Sequence, residues 1–178
     1  MNYVFFDLET QNLIDNVGGR ENISQLKLSC GVTWSTARND FAVYWEKDAA
    51  ALAQELKSAT KVVGFNVRAF DYVVLQPYVP DVRLASIPTL DMLLDLQQLL
   101  GFRVSLDNLA GASLGATKSA DGLKAVEWFR AGEMDKIAEY CKMDVDITRR
   151  VFEFGRDNGF VHYRSKLGSK LKVNVKWK

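Results

Sequence analysis

The sequence predicts an α/β layered fold, a mixed β-sheet flanked by helices. Three observations point there. Three short, β-rich apolar runs follow one another from Tyr3, strand-patterned and helix-patterned segments then alternate, and the remainder is mainly helical in pattern. The 178 residues, 48% hydrophobic and 25% charged, suit one domain with a substantial core, and no repeat or linker divides them.

Each element follows from a local signal. Tyr3–Phe6 reads as the first strand, Leu26–Trp34 as the second and Phe41–Trp45 as the third, with Gly and Asn punctuating the connections. Asp48 stands where it would cap a helix over residues 49–59, in which Leu52 and Leu56 share a face. Residues 61–66 (KVVGFN) read as a buried strand, and a helix follows near residues 70–78, ending around Pro80. Residues 87–90 form a short strand leading into a helix over 91–100, which Gly101 stops. Ser105 caps the next helix, which carries Leu106 and Leu109. Residues 111–122 are small and polar and read as a mobile loop, and two helices follow over 123–131 and 133–157. In the last of these, Ile137, Tyr140, Asp144, Ile147, Val151 and Phe154 make an inward stripe.

Composition excludes several chemistries. Cys30 and Cys141 have no CxxC spacing and His162 is the single histidine, so neither a Cys/His zinc site nor a disulfide framework can be assembled. No motif surrounds His162, which argues against a Ser–His or Cys–His nucleophile. The opening MNYVFFDLET lacks a basic n-region and a long apolar stretch, and no run is long enough to span a bilayer. The expectation is a reduced, cytoplasmic protein with no membrane association.

The formal charge of +1 is unevenly placed. Residues 163–178 carry six basic side chains and no acid, which leaves 17 basic and 22 acidic groups in residues 1–162, a net of −5. This divides the chain into a body over 1–162 and a basic tail over 163–178. In the tail, Leu171, Val173, Val175 and Trp177 alternate with Lys172, Asn174, Lys176 and Lys178. That pattern fits a packed edge strand with one basic face, a protein contact, or an arm that binds phosphates.

The acids are the informative residues. Asp7 and Glu9 follow directly on the first apolar run, two apart, so an extended backbone places both on one face. Either they repel each other at a buried strand end and require a cation or donors, or the strand has ended and both are solvated. Asp71 starts a helix after the strand KVVGFN, where the macrodipole alone would suffice to explain it. Tyr140 and Asp144 lie one turn apart on the inward stripe, where an acid needs a partner or a metal. Asp146 falls on the opposite side and is expected in solvent, and Asp91, spaced with Asp95 like a metal pair, suits a helix cap better. If Asp7, Glu9, Asp71 and Asp144 converge, hard oxygen donors favour Mg²⁺ or Mn²⁺ over zinc or copper. Two such ions would activate a water and stabilise the leaving oxygen of a phosphodiester, with Tyr140 orienting that water.

These residues resemble the three motifs of the DEDD (DnaQ-like) exonuclease superfamily of ribonuclease H-like fold, in its tyrosine (DEDDy) subgroup. Asp-x-Glu stands as Asp7 and Glu9, Asn-x-x-x-Phe-Asp as Asn66, Phe70 and Asp71, and Tyr-x-x-x-Asp as Tyr140 and Asp144. Position 139 is glutamate, so the histidine variant of the third motif does not fit. The likeness spans residues 3–155 and is similar to family B polymerase proofreading domains. It is closer to stand-alone or helicase-associated bacterial 3′–5′ exonuclease domains through the stretch from Leu90 past Leu106–Leu114, Lys118 and Gly132 to Tyr140.

The resemblance implies a central five-stranded mixed sheet with Asp7 and Glu9 on its first strand. It implies that Asp7 bridges two Mg²⁺ or Mn²⁺ ions, Glu9 and Asp144 complete the tighter site, Asp71 holds the second ion, and Tyr140 positions the nucleophile. Asn66 and Phe70 would shape the pocket, and backbone at Leu8–Thr10 would face the 3′-terminal sugar. Leu13 or Tyr72 would stack on the last base, and Lys118 would contact a phosphate. The implied activity is 3′–5′ exonucleolytic hydrolysis of single-stranded DNA or RNA to 5′-mononucleotides, with a helicase or polymerase as partner protein. The alternatives are a catalytically silent nucleic-acid-binding module and an endonuclease of the same broad fold.

Overall fold

A computed structural model of the chain describes residues 1–116 and 122–178. Its centre is a five-stranded sheet in the order β3-β2-β1-β4-β5. Strand β1 (Tyr3–Thr10) pairs antiparallel with β2 (Leu28–Ser35), and β2 pairs antiparallel with β3 (Asp40–Trp45). On its other side β1 runs parallel to β4 (Lys61–Gly64), which runs parallel to β5 (Thr89–Asp91). The mixed sheet expected from the sequence is therefore present, with β1 in the middle.

Alternation along β1 divides the core. Val4, Phe6 and Leu8 face α1 (Ala49–Ser58) and α2 (Asp71–Leu75), while Phe5 faces the other layer. That second layer contains α3 (Met92–Leu100), α4 (Leu106–Leu114), α5 (Gly122–Arg130) and the long α6 (Met134–Asn158). Asp7 and Glu9 continue the Phe5 face, so they point toward α6. The strand does not end at Phe6. It carries both acids inside its span, and the register against β2 shifts between Glu9 and Thr10, a bulge at the strand's end.

Several elements differ from the sequence reading. The predicted 70–78 helix is a five-residue α2 followed by a 3-10 turn at Gln76–Tyr78, because Pro77 cannot supply the next main-chain donor. Asp48 precedes α1 but accepts from the Trp45 N–H at 3.2 Å, closing the preceding turn. The loop expected over 111–122 begins later: α4 runs to Leu114 and ends at Gly115, whose φ of 68° suits glycine. Residues 117–121, including Lys118, lie outside the described residues.

The basic segment forms a strand. β7 (Lys170–Asn174) pairs antiparallel with β6 (Phe160–Arg164), a strand the sequence reading passed over. Side chains of α4 satisfy the outer edge of β6. Ser113 bonds both main-chain groups of His162 (2.9 and 3.1 Å), and Asn108 bonds both of Arg164 (2.6 and 2.9 Å). Beyond β7, Trp177 stacks on Phe152 and donates to Asp95 Oδ2 at 2.7 Å. No helix among the described residues is long and apolar enough to cross a membrane.

Candidate active site

Three elements meet at the C-terminal end of β1. The strand brings Asp7 and Glu9, the first residue of α2 brings Asp71, and the middle of α6 brings Tyr140 and Asp144. All five line one cavity of about 440 Å³. Residues from 2 to 137 positions apart in sequence thus share a wall, and the solvated reading fails for Glu9, which is buried, while Asp7 is half-buried. Glu9 is 9% exposed, Asp71 3% and Asp144 7%. Asp7 and Asp144 also line a second cavity, together with Asn66 and Arg103, so they stand between the two.

Packing these carboxylates together has electrostatic consequences. Burial pushes the Asp71 carboxyl up to about 7, against its own main-chain hydrogen bond and that of Leu8, with the nearby Asp91 charge adding to the rise. Tyr140 is driven far above an ordinary phenol by burial and then by the negative charges of Asp144, Glu9 and Asp7. Its hydroxyl stays protonated at neutral pH and can donate or accept a hydrogen bond. Its ring meets Trp128 edge-on, with centroids 6.0 Å apart.

The loop carrying Asn66 is fixed by Asp91. That buried carboxylate accepts from the N–H groups of Asn66 (2.8 Å), Arg68 (3.0 Å), Leu93 (3.2 Å) and Leu94 (3.3 Å). It caps α3, as the sequence suggested, and it also ties the β4–α2 connection to the sheet. Asn66 adopts φ of 69°, which asparagine tolerates, and its Oδ1 accepts from Arg103 at 3.0 Å. Asn66 and Phe70 line the same cavity as the acids.

Other sequence expectations divide. Leu8, Thr10 and Leu13 line the cavity. Tyr72 does not: it is buried, stacks on Phe6 and bonds Thr89 Oγ1 at 2.7 Å, so it is a core residue and not a stacking platform. Asp146 pairs with Arg149 and Arg150, as expected for a solvated face, and Asp95 anchors Trp177.

Cys141 was missed, although it falls on the inward stripe four residues after Ile137. Its Sγ lies 3.4 Å from the Asp7 carbonyl and 3.6 Å from Asp7 Oδ2. Asp7, Glu9 and Cys141 each bring a potential ligand atom within 4.8 Å of one another. Burial, the neighbouring Cys30 and the charges of Asp7 and Glu9 hold the Cys141 thiol well above its usual range. Without a bound metal it serves as a weak donor to Asp7. The carboxylate oxygens around it form a set suited to a hard divalent ion.

Residues 4–155 match the RNase_H_2 family, described as RNase_H superfamily. No curated protein matches the chain in sequence. Among solved structures, the family B DNA polymerase from the hyperthermophilic archaeon Pyrobaculum calidifontis is similar, with a TM-score of 0.66 at 15% identity. The match covers 86% of this chain and 24% of the polymerase chain, so the chain spans about a quarter of that protein. At that identity the likeness is one of fold.

Proposed function

The chain belongs to the RNase_H_2 family of the RNase H superfamily, and from that premise we propose that it is a divalent-metal-dependent 3′–5′ exonuclease. It would hydrolyse phosphodiester bonds of single-stranded DNA or RNA and release 5′-mononucleotides. The observation that carries this reading is the gathering of Asp7, Glu9, Asp71, Tyr140 and Asp144 around one cavity from three separate elements.

In this reading Asp7, Glu9, Asp71 and Asp144 hold two Mg²⁺ or Mn²⁺ ions. When bound, these supply the positive charge that makes a water nucleophilic at neutral pH and stabilises the leaving oxygen. Tyr140 orients that water by a hydrogen bond without taking its proton, since its hydroxyl is held protonated. Backbone at Leu8–Thr10, with Asn66 and Phe70, faces the terminal nucleotide, and Leu13 offers an apolar surface to its base. Lys118 is assigned a phosphate contact from the sequence reading alone. Residues 1–162 would form the catalytic unit and 163–178 an accessory segment, with a helicase or polymerase as partner protein.

The test uses a 5′-labelled single strand with Mn²⁺. Wild type should shorten it one nucleotide at a time, and Asp7→Ala and Asp144→Ala should each abolish the ladder. Equal degradation by either variant would mark the activity as a contaminant. Cleavage of circular single strands would point to an endonuclease, and the absence of acid-dependent Mn²⁺ binding by calorimetry would point to a silent module.

A further inference from the structure

We infer that the chain carries a second substrate surface, a basic and aromatic track on the α3–α4 loop and the β6–β7 hairpin that binds single-stranded nucleic acid upstream of its 3′ end. This rests on the exonuclease reading for the position of that end, but not for the binding itself.

The first observation is continuity. The cavity beside Asp7 and Asp144 is also lined by Arg103, Val104 and Ser105. The same three residues line a third cavity of about 700 Å³, whose other wall includes Tyr163, Arg164 and Lys166 of the hairpin. Arg103, bonded to Asn66 at 3.0 Å, thus joins the candidate active site to the hairpin. A strand whose 3′ end lies at the acids would pass Arg103 on its way to Arg164.

The second observation is charge. Residues 1–162 carry a net of −5, while 163–178 contribute six cations and no acid. None of the ion pairs among the described residues involves Arg103, Arg164, Lys166 or Lys170. Cations left without carboxylate partners beside an acidic body are suited to phosphates.

The third is an apolar floor. Phe102 is 48% exposed, and its ring meets Tyr163 edge-on at 5.8 Å. Leu171 lies beside them in the same cavity. Aromatic faces between cations are the arrangement that binds single strands without reading sequence, because every base offers a π-face and every nucleotide a phosphate.

The track is also held in place. Asn108 bonds both main-chain groups of Arg164, and Trp177 fixes the far end on Asp95. Binding there would not require ordering a loose arm. Its hairpin half lies beyond residue 155, outside the segment that matches the family.

The test is anisotropy of the metal-free 178-residue chain with labelled single strands of three and about twelve nucleotides, at several salt concentrations. Wild type should bind the longer strand at least tenfold tighter. Arg164→Ala/Lys166→Ala should remove most of that advantage and make the salt slope shallower by about 1.4, at about 0.7 per phosphate contact for single strands. Phe102→Ala should cost about tenfold on the longer strand with the slope unchanged, through lost stacking. Arg164→Ala/Lys166→Arg should recover the share of affinity that the double variant lost at Lys166. Equal affinity for both lengths, or a double variant that retains the wild-type advantage and slope, would overturn the track. Failure of the exonuclease reading looks different: length-dependent binding would persist while hydrolysis is absent from wild type.

Discussion

The Asp71 carboxylate accepts the main-chain N–H of Leu8 at 3.0 Å, joining α2 to β1 across 63 positions of sequence. This bond fixes Asp71 on the same wall as Asp7 and Glu9. It does so at an energetic cost, since burial holds the Asp71 carboxyl up to about 7. Between roughly pH 4 and 7 the folded protein retains a proton that the unfolded chain has released, so metal-free stability should fall as pH rises through that window and level off above it. The shift corresponds to an upper bound of about 4 kcal/mol. Asp71→Asn keeps an oxygen for Leu8 and cannot ionise. In EDTA it should be more stable than wild type at pH 8 and nearly equal at pH 4, by chemical denaturation, while losing metal-dependent hydrolysis. A variant less stable than wild type at pH 8 would refute the assignment.

Tyr140→Phe separates positioning from metal binding. The ring can keep its edge-on contact with Trp128 and the four carboxylates remain, although Asp144 loses its hydrogen bond with the Tyr140 hydroxyl. Turnover should drop about a hundredfold, as for loss of one preorganised hydrogen-bond partner, with the Mn²⁺ affinity close to wild type by calorimetry. The pH–rate profile should keep its shape, because a phenol held protonated contributes no basic limb in the neutral range. A lost limb in the variant would instead make Tyr140 a general base.

The fold class and the acids were legible in the sequence for a specific reason. Both depend on periods that a chain expresses locally: the two-residue alternation of Tyr3–Glu9 and the stripe through Ile137, Tyr140 and Asp144. What escaped was set by tertiary contact. β6 was passed over because its edge is satisfied by Ser113 and Asn108 from α4, a partnership 49 to 56 positions distant. Cys141 was missed because its contact with Asp7 spans 134 positions. Asp91 was recognised as a cap, but its second role on Asn66 and Arg68 comes from the neighbouring strand pairing of β4 and β5.

Away from the site, Glu55 on α1 supports the sheet through three contacts. Its carboxylate accepts from Thr33, Tyr44 and Arg38, each at 2.6 Å. Burial opposes its ionisation, yet these donors outweigh burial and lower its pKa. The resulting stability is present above the ordinary carboxylate range and is lost as pH falls through the folded value. Glu55→Gln should cost about 1–3 kcal/mol at pH 7, and the difference from wild type should shrink as pH falls below about 4. A pH-independent difference would mean that packing, not the charge, sustains the contact.

Gly155 controls the seat of the tail. A Cβ there would lie 2.4 and 2.5 Å from Trp177 ring carbons and 3.1 Å from Val161. Gly155→Ala should therefore displace the indole from Phe152 and from Asp95, costing about 1–3 kcal/mol by overpacking, with a red shift in tryptophan emission. The clash needs both partners, so the effects should be non-additive: Gly155→Ala/Trp177→Ala should be no less stable than Trp177→Ala alone. Because the β6–β7 hairpin is anchored through this contact, Gly155→Ala should also weaken binding of long single strands more than of trinucleotides. If the indole still bonds Asp95 in the variant and long-strand affinity is unchanged, Trp177 does not hold the hairpin in place.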